Sequence, residues 1–223
     1  MSSGVGLPGN AADMRQHILD SFAATGIPAD VPGDAEAALQ PAVLNAWFKR
    51  PFRPAGVLIG LTERQGELHM LLTERTHTVT DHPGQIAFPG GVAEDCDDNL
   101  ERTALREAEE EIGLARRHVS VAGYLAAQPI ITGYAVLPVV GFYDPAFEAR
   151  CDPREVAGVF EVPLNFLLNP DNRIPVDRER AGITLKMYEF HFQGHRIWGA
   201  TALMIGQFIA QLRGEHDNPL GRN

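Results

Sequence analysis

The 223-residue chain predicts an α/β protein with a mixed sheet flanked by helices, not a doubly wound parallel sheet. Three observations carry that expectation. Short apolar runs bounded by turn residues recur from Pro54 onward, and two lie close enough in sequence to form a hairpin. Helical periodicity is confined to a few segments, of which Leu100–Ile112 is the most regular. Strand-like and helical segments also alternate irregularly, without the strict repeat that a parallel sheet needs.

Taken in order, residues 1–11 are rich in Gly, Ser and Pro and are expected to be poorly ordered. Met14, Ile18 and Phe22 recur at helical spacing and predict a short amphipathic helix. A second helical stretch is expected over about residues 35–48, with Pro41 starting or kinking it. Residues 12–50 therefore read as an N-terminal helical extension to a domain at 51–213. Residues 55–61 and 68–73 predict two strands joined across a polar turn at 63–66. Residues 76–84 lose periodicity and read as a loop. A brief apolar segment at 86–88 then meets the sharp turn Pro89-Gly90-Gly91.

Leu100, Ala104, Ala108 and Ile112 form one small-to-apolar stripe, and Gly113 stands where a helix-ending glycine belongs. Strands are expected at 119–126, Tyr134–Tyr143 and 184–192. Between the last two, 156–168 reads as a short strand or turn, then a helical piece from about Pro163. A helix at about 200–212 closes the domain, and 214–223 reads as a flexible tail.

At 44% hydrophobic and 22% charged, the composition is that of a globular chain able to bury a substantial core. The formal net charge of −10 disfavours nucleic acid as a partner, because phosphate backbones select clustered Lys and Arg. An acidic protein that handles phosphates must borrow positive charge, and bound cations are the direct source. Cys96 and Cys151 stand at no metal-ligand spacing and read as two free thiols. No basic, then apolar leader opens the chain, and no apolar stretch is long enough to span a bilayer. The expectation is a cytoplasmic protein with no membrane partner.

The chemistry concentrates in residues 90–114. Glu107, Glu110 and Glu111 stand at i, i+3 and i+4, which sets three carboxylates on one helical face. Two such charges repel by roughly 3 kcal/mol at an effective dielectric near 20, which asks for a compensating cation. Oxygen-only ligands suit Mg²⁺ or Mn²⁺ better than zinc. Arg106 stands where it can hold one carboxylate through paired hydrogen bonds. On the helix alone a solvated acidic face is the ordinary reading. The upstream Gly90-Gly91 turn, the intervening Glu94, Asp97 and Asp98, and Gly113 shift the balance towards a site.

Gly91, Asp97, Arg106-Glu107, Glu110-Glu111 and Gly113-Leu114 together resemble the signature of the Nudix hydrolases. Asp97 replaces the usual Glu, and one extra residue separates it from Arg106. Both departures resemble the coenzyme A pyrophosphatase-like branch. So do Leu71-Leu72-Thr73-Glu74-Arg75-Thr76, His82-Pro83-Gly84-Gln85, Phe88-Pro89-Gly90-Gly91 and Thr103-Ala104-Leu105. Glu155-Val156, Phe160-Glu161-Val162-Pro163-Leu164 and Trp198-Gly199-Ala200-Thr201-Ala202 extend the likeness over roughly residues 54–212. Thr80 stands near the place where that branch usually carries an arginine.

The resemblance implies a Nudix-type α/β/α sandwich with a mixed sheet and a loop–helix–loop metal site. It implies Mg²⁺ or Mn²⁺ on Glu107, Glu110, Glu111 and the Gly90 carbonyl, with Glu107, Glu111 and Arg106 as the catalytic set. Arg75, His82, Gly84 and Phe88 are the implied substrate-binding residues, and Glu161 is an outside candidate for the base. The implied partner is a small nucleotide substrate, coenzyme A or an acyl derivative first, and a homodimer is compatible with it. ADP-ribose, NADH or another nucleotide is the second reading, and a non-catalytic nucleotide-binding regulator the third. Trp47 and Trp198 read as core aromatics before stacking platforms, and His77 as a solvent-facing loop residue.

Overall fold

The structure, a computed structural model, describes residues 7–39, 47–77, 83–180 and 183–215. Its centre is β1 (Arg53–Arg64), apolar from Pro54 to Leu61 and buried on both faces through its middle. It runs parallel to β7 (Tyr134–Tyr143) over nine paired residues, Arg53↔Tyr134 to Leu61↔Phe142. On its other edge β1 is shared between two antiparallel partners. Its end, Leu61–Arg64, pairs with β2 (Glu67–Arg75), while Ala55–Val57 pairs with β4 (Gly90–Val92).

The rest of the eight-stranded sheet builds outward from these strands. Strands β3 (Ile86–Ala87) and β8 (Val156–Pro163) pair with β2, and β5 (Val119–Tyr124) and β6 (Gln128–Ile130) pair with β7. A second sheet of three strands holds β9 (Ile174–Arg180), β10 (Ile183–Phe192) and β11 (His195–Ile197). Parallel and antiparallel pairings coexist, as the irregular alternation of segments predicts.

Helices cover both faces of the main sheet. Strand side chains alternate in direction, so odd-numbered β1 residues meet one layer and even-numbered ones the other. Ala55, Ile59 and Leu61 share a core with Met14, Ile18 and Phe22 of α1 (Ala11–Phe22) and Ile205 and Phe208 of α5 (Gly199–Arg213). On the opposite face Leu58 packs with Leu105, Ala108 and Ile112 of α3 (Leu100–Ile112). Val31 and Ala35 of α2 (Val31–Ala38) join Leu100 and Ala104 there, against Leu137 and Val139. Close approach of α3 depends on Gly56, since a Cβ there would lie 2.4 Å from the Leu100 carbonyl oxygen.

Several elements depart from expectation. The second helix begins at Val31, capped by the Asp30 side chain on the Gly33 N–H, so only its end overlaps the expected 35–48, and 40–46 lie outside the described residues. A two-residue turn, Gln65-Gly66, closes the β1–β2 hairpin with φ of 52° and 82°. Residues 156–163 form a full eight-residue strand, followed by the short α4 (Leu164–Leu168). Strands β4, β6, β9 and β11 were not expected. Both cysteines are free thiols. No helix among the described residues is long and apolar enough to cross a membrane.

Candidate active site

Strand β4 lies against the α3 layer, and there the sequence-singled residues meet. Asn99 caps α3 by accepting from the Arg102 N–H, and Gly113 ends it with φ 75°. The helix is thereby held at both ends, with its acidic turns beside Gly90 and Gly91.

Arg106 organises the cluster. Its Nε and Nη2 donate to Asp97 Oδ1 and Oδ2 at 3.1 and 3.0 Å, and Nη2 also donates to the Val92 carbonyl at 3.2 Å. Nη1 donates to Glu107 at 2.9 Å and to Glu110 at 3.0 Å. One guanidinium thus ties the loop after β4 to two carboxylates of the helix. The hydrogen bonds from Arg106 hold the Asp97 carboxyl below its ordinary range, and Thr103 adds another bond to it at 3.0 Å.

The other carboxylates sit in unlike settings. Glu107 presses against Gly91 so closely that a Cβ there would lie 2.5 Å from its carboxyl carbon. Burial raises its pKa against the opposing pull of Arg106. Glu111 is only 3% exposed and accepts the Gly90 N–H at 3.1 Å, with Arg75 Nη1 at 3.6 Å. Burial pushes Glu111 up to about 8, against the Gly90 bond and Arg75. Glu110 is the outward member, its side chain 59% exposed.

Glu155, a residue given no role from sequence, faces this group: its charge adds to the repulsion felt by both Glu107 and Glu111. It stands just before β8, where the Thr76 N–H donates to its carbonyl at 2.8 Å. The Glu155-Val156 pair was legible only as part of a resemblance, because its approach to α3 depends on β8 pairing with β2.

The remaining candidates separate. Gly84 sits in its loop with φ 68° beside the His77 ring. Phe88 is 3% exposed and lies in the main core, so its packing is with protein and not with the site opening. His82 and Thr80 lie outside the described residues. Glu161 is committed elsewhere: Arg64 donates to it twice, at 2.8 and 2.7 Å, and the Tyr143 hydroxyl at 2.7 Å. Burial works to raise that carboxyl, but these bonds outweigh it and hold it low, which removes Glu161 as a base near α3. Trp47 is buried, whereas Trp198 is half-buried between the Arg178 and Arg196 guanidiniums.

Among the described residues, no three His, Cys, Asp or Glu side chains converge into a ready-made metal cage. The donor set nevertheless fits a hard dication. Glu107, Glu110 and Glu111 offer only oxygens, two of them are pushed up by burial and by mutual repulsion, and Gly91 leaves a gap where a side chain would displace Glu107.

A family model for the NUDIX domain matches residues 51–179. The chain belongs to the Nudix family. This Nudix protein is 42% identical over 144 residues to the uncharacterised Nudix hydrolase NudL of Photorhabdus laumondii, covering 65% of this chain and 77% of the relative. The NudL of an Enterobacter strain is 38% identical over 160 residues, covering 72% and 83%. A solved Nudix hydrolase from Alicyclobacillus acidocaldarius is 18% identical, with 77% and 99% coverage and a TM-score of 0.45. The Nudix chain has the architecture of a pyrophosphohydrolase acting on a nucleotide-linked substrate, and this family typically requires a divalent metal.

Proposed function

We propose that this Nudix hydrolase cleaves coenzyme A or an acyl-coenzyme A at its pyrophosphate bond, using Mg²⁺ or Mn²⁺. The observation that carries the catalytic part is the Arg106 clamp, which bonds both Glu107 and Glu110, with Glu107 against Gly91 and Glu111 held by the Gly90 N–H. Glu107, Glu110, Glu111 and the Gly90 carbonyl would hold the metal, with Glu155 adding negative charge nearby. When bound, the dication neutralises diphosphate charge and acidifies the attacking water.

The chain's own groups then have separate tasks. Arg106 spends its donors on Asp97, Glu107, Glu110 and Val92, so it positions carboxylates and does not touch substrate. Glu111 keeps one oxygen on the Gly90 N–H and turns the other towards Arg75, the cation best placed to meet a phosphate oxygen. Glu107 and Glu111, the carboxylates that would lie beside the metal, are the proposed acceptors of a proton from water.

Coenzyme A is supported by the branch-like runs at 71–76, 82–85 and 88–91, and by Trp198-Gly199-Ala200-Thr201-Ala202. Thr201 Oγ1 donates to the Ile86 carbonyl at 2.9 Å, which joins the last run to the strand before the Gly90 turn. Thr80 supplies no charge for a 3′-phosphate. Arg53, exposed over the Tyr134 ring at the start of β1, and neighbouring Lys49 are the proposed replacements, whereas Arg50 is paired with Glu36.

The test ranks kcat/KM with Mg²⁺ for coenzyme A, 3′-dephospho-coenzyme A, ADP-ribose and NADH. Coenzyme A should exceed its dephospho form by about tenfold, the weight of one charged hydrogen bond. Preference for ADP-ribose would defeat the coenzyme A assignment and keep the pyrophosphohydrolase. Nucleotide binding without turnover of any substrate would favour a regulatory domain instead.

A further inference from the structure

Among the described residues, two buried glutamine oxygens have no hydrogen bond, Gln207 Oε1 on α5 and Gln128 Oε1 on the sheet face away from α3. Gln128 of β6 is 2% exposed, and its Oε1 is buried without a hydrogen bond. A buried carbonyl oxygen left unsatisfied costs about 1–3 kcal/mol, so such groups persist where something meets them.

Strand register places that amide in a continuous floor. Gln128 stands opposite Val136, Val136 opposite Ala55, and Ala55 opposite Val92, so all four residues share one row and one face. The next row on one side is Ile130, Tyr134 and Arg53, and the next on the other holds Val57 and Gly90. Tyr134, Ile130, Val57 and Val92 are only half-buried although they stand mid-sheet. At the rim the Arg53 guanidinium lies 5.7 Å from the centre of the Tyr134 ring. Three strand spacings of about 4.8 Å separate Gln128 from Val92, on the order of 14 Å. That reach matches a nucleoside diphosphate laid from its phosphates at Gly90-Gly91 to its base at β6.

We propose that Gln128 is the base-reading residue of this enzyme and that it takes an adenine. The adenine 6-amino group donates to Oε1, while Nε2 donates to the adjacent ring nitrogen; the amide is the natural bidentate partner of that edge. Half-buried Ile130 and Tyr134, in the row next to Gln128, supply the apolar surface for the ring beside the buried Val136 and Ala55, and Arg53 borders it. The assignment rests on the nucleotide-linked substrate of the family, and not on coenzyme A in particular.

The experiment measures, by calorimetry with Mg²⁺, the Kd of ADP and of purine riboside 5′-diphosphate, which lacks the 6-amino group. The wild-type protein should bind ADP about tenfold more tightly. In Gln128→Leu the two Kd values should converge, while the free variant melts no lower than wild type because an unsatisfied amide has been removed. Gln128→Met, of nearly the same shape, serves the same purpose if the Leu variant does not fold. Equal binding of both ligands by the wild type overturns the proposal, as does a ratio that survives in the variant, or failure of both ligands to bind. Coenzyme A turnover is not part of the readout, so a failed coenzyme A assignment leaves this result standing.

Discussion

At Gly91 a missing side chain sets the position of a carboxylate. A Cβ there would meet Glu107 Oε1 and Oε2 at 2.6 and 2.7 Å, the movable end of a flexible side chain. Gly91→Ala is therefore expected to melt within a few degrees of wild type yet lose at least tenfold in kcat, measured by melting and steady-state rates; wild-type turnover would detach Glu107 from the reaction. Glu111 carries the opposite kind of information. Burial pushes its pKa up to about 8 in the folded protein, from 4.5 for a free carboxyl. Between those values the native state holds a proton that the unfolded chain has lost, so metal-free stability falls as pH rises through the window. Melting in chelator from pH 5 to 9 should show that decline in wild type and a flatter profile in Glu111→Gln. The same substitution should abolish most of kcat in Mg²⁺. If both proteins show the same slope, the burial of Glu111 is not what drives it. Arg53→Ala should raise KM for coenzyme A several-fold more than for its dephospho form, with kcat little changed; equal effects would remove Arg53 from the 3′-phosphate.

Among the elements, α3 matters most and was the most legible. Its stripe, its Asn99 cap and its Gly113 end are all local features, so the helix was expected over the residues it occupies, Leu100–Ile112. Its placement is another matter, because it depends on Gly56 in a strand 44 or more residues away. Gly56→Ala would drive a methyl into the Leu100 carbonyl at 2.4 Å and the Ala104 N at 3.1 Å, neither of which can swing aside. A loss of about 1–3 kcal/mol or more is expected from denaturant titration, together with loss of activity as α3 is pushed off the sheet. A stability unchanged within error would show that the helix can shift without cost. Three of the four strands that the sequence does not predict have a shared cause. Strands β6 and β11 are three residues each, β6 contains Pro129, and β9 mixes Pro175 with alternating charges. None of these carries a period of its own, and each is a strand because a partner strand lies beside it.

Across the whole molecule, α1 and α5 pack together on part of the face opposite α3. Phe22 and Phe208 stack at 5.8 Å, His17 Nε2 meets the Leu212 carbonyl at 2.7 Å, and the Gln211 amide donates to the Ser21 carbonyl at 2.7 Å. The segment read as an extension thus contributes Met14, Ile18 and Phe22 to the main core. Phe22→Ala should cost about 3–5 kcal/mol in denaturant unfolding, as a fully buried ring does. A change below about 1 kcal/mol would mean that α1 is a loosely attached addition.

By itself the sequence determined what short-range chemistry can specify: the helical stripe and its caps, the β1–β2 hairpin, the mixed class of the sheet, and an acidic face beside a Gly-Gly turn. These depend on residues a few positions apart, where spacing alone sets which side chains share a face. Only the tertiary structure decided that Arg106 spends its donors on Asp97, Glu107 and Glu110, that Phe88 turns inward, and that Glu161 is locked to Arg64 and Tyr143. It also brought Glu155 towards α3 and set Gln128 in line with Gly90's face of the sheet. Those outcomes depend on strand register between distant segments, and burial, not residue type, then decides whether a carboxylate pairs, protonates or stays free.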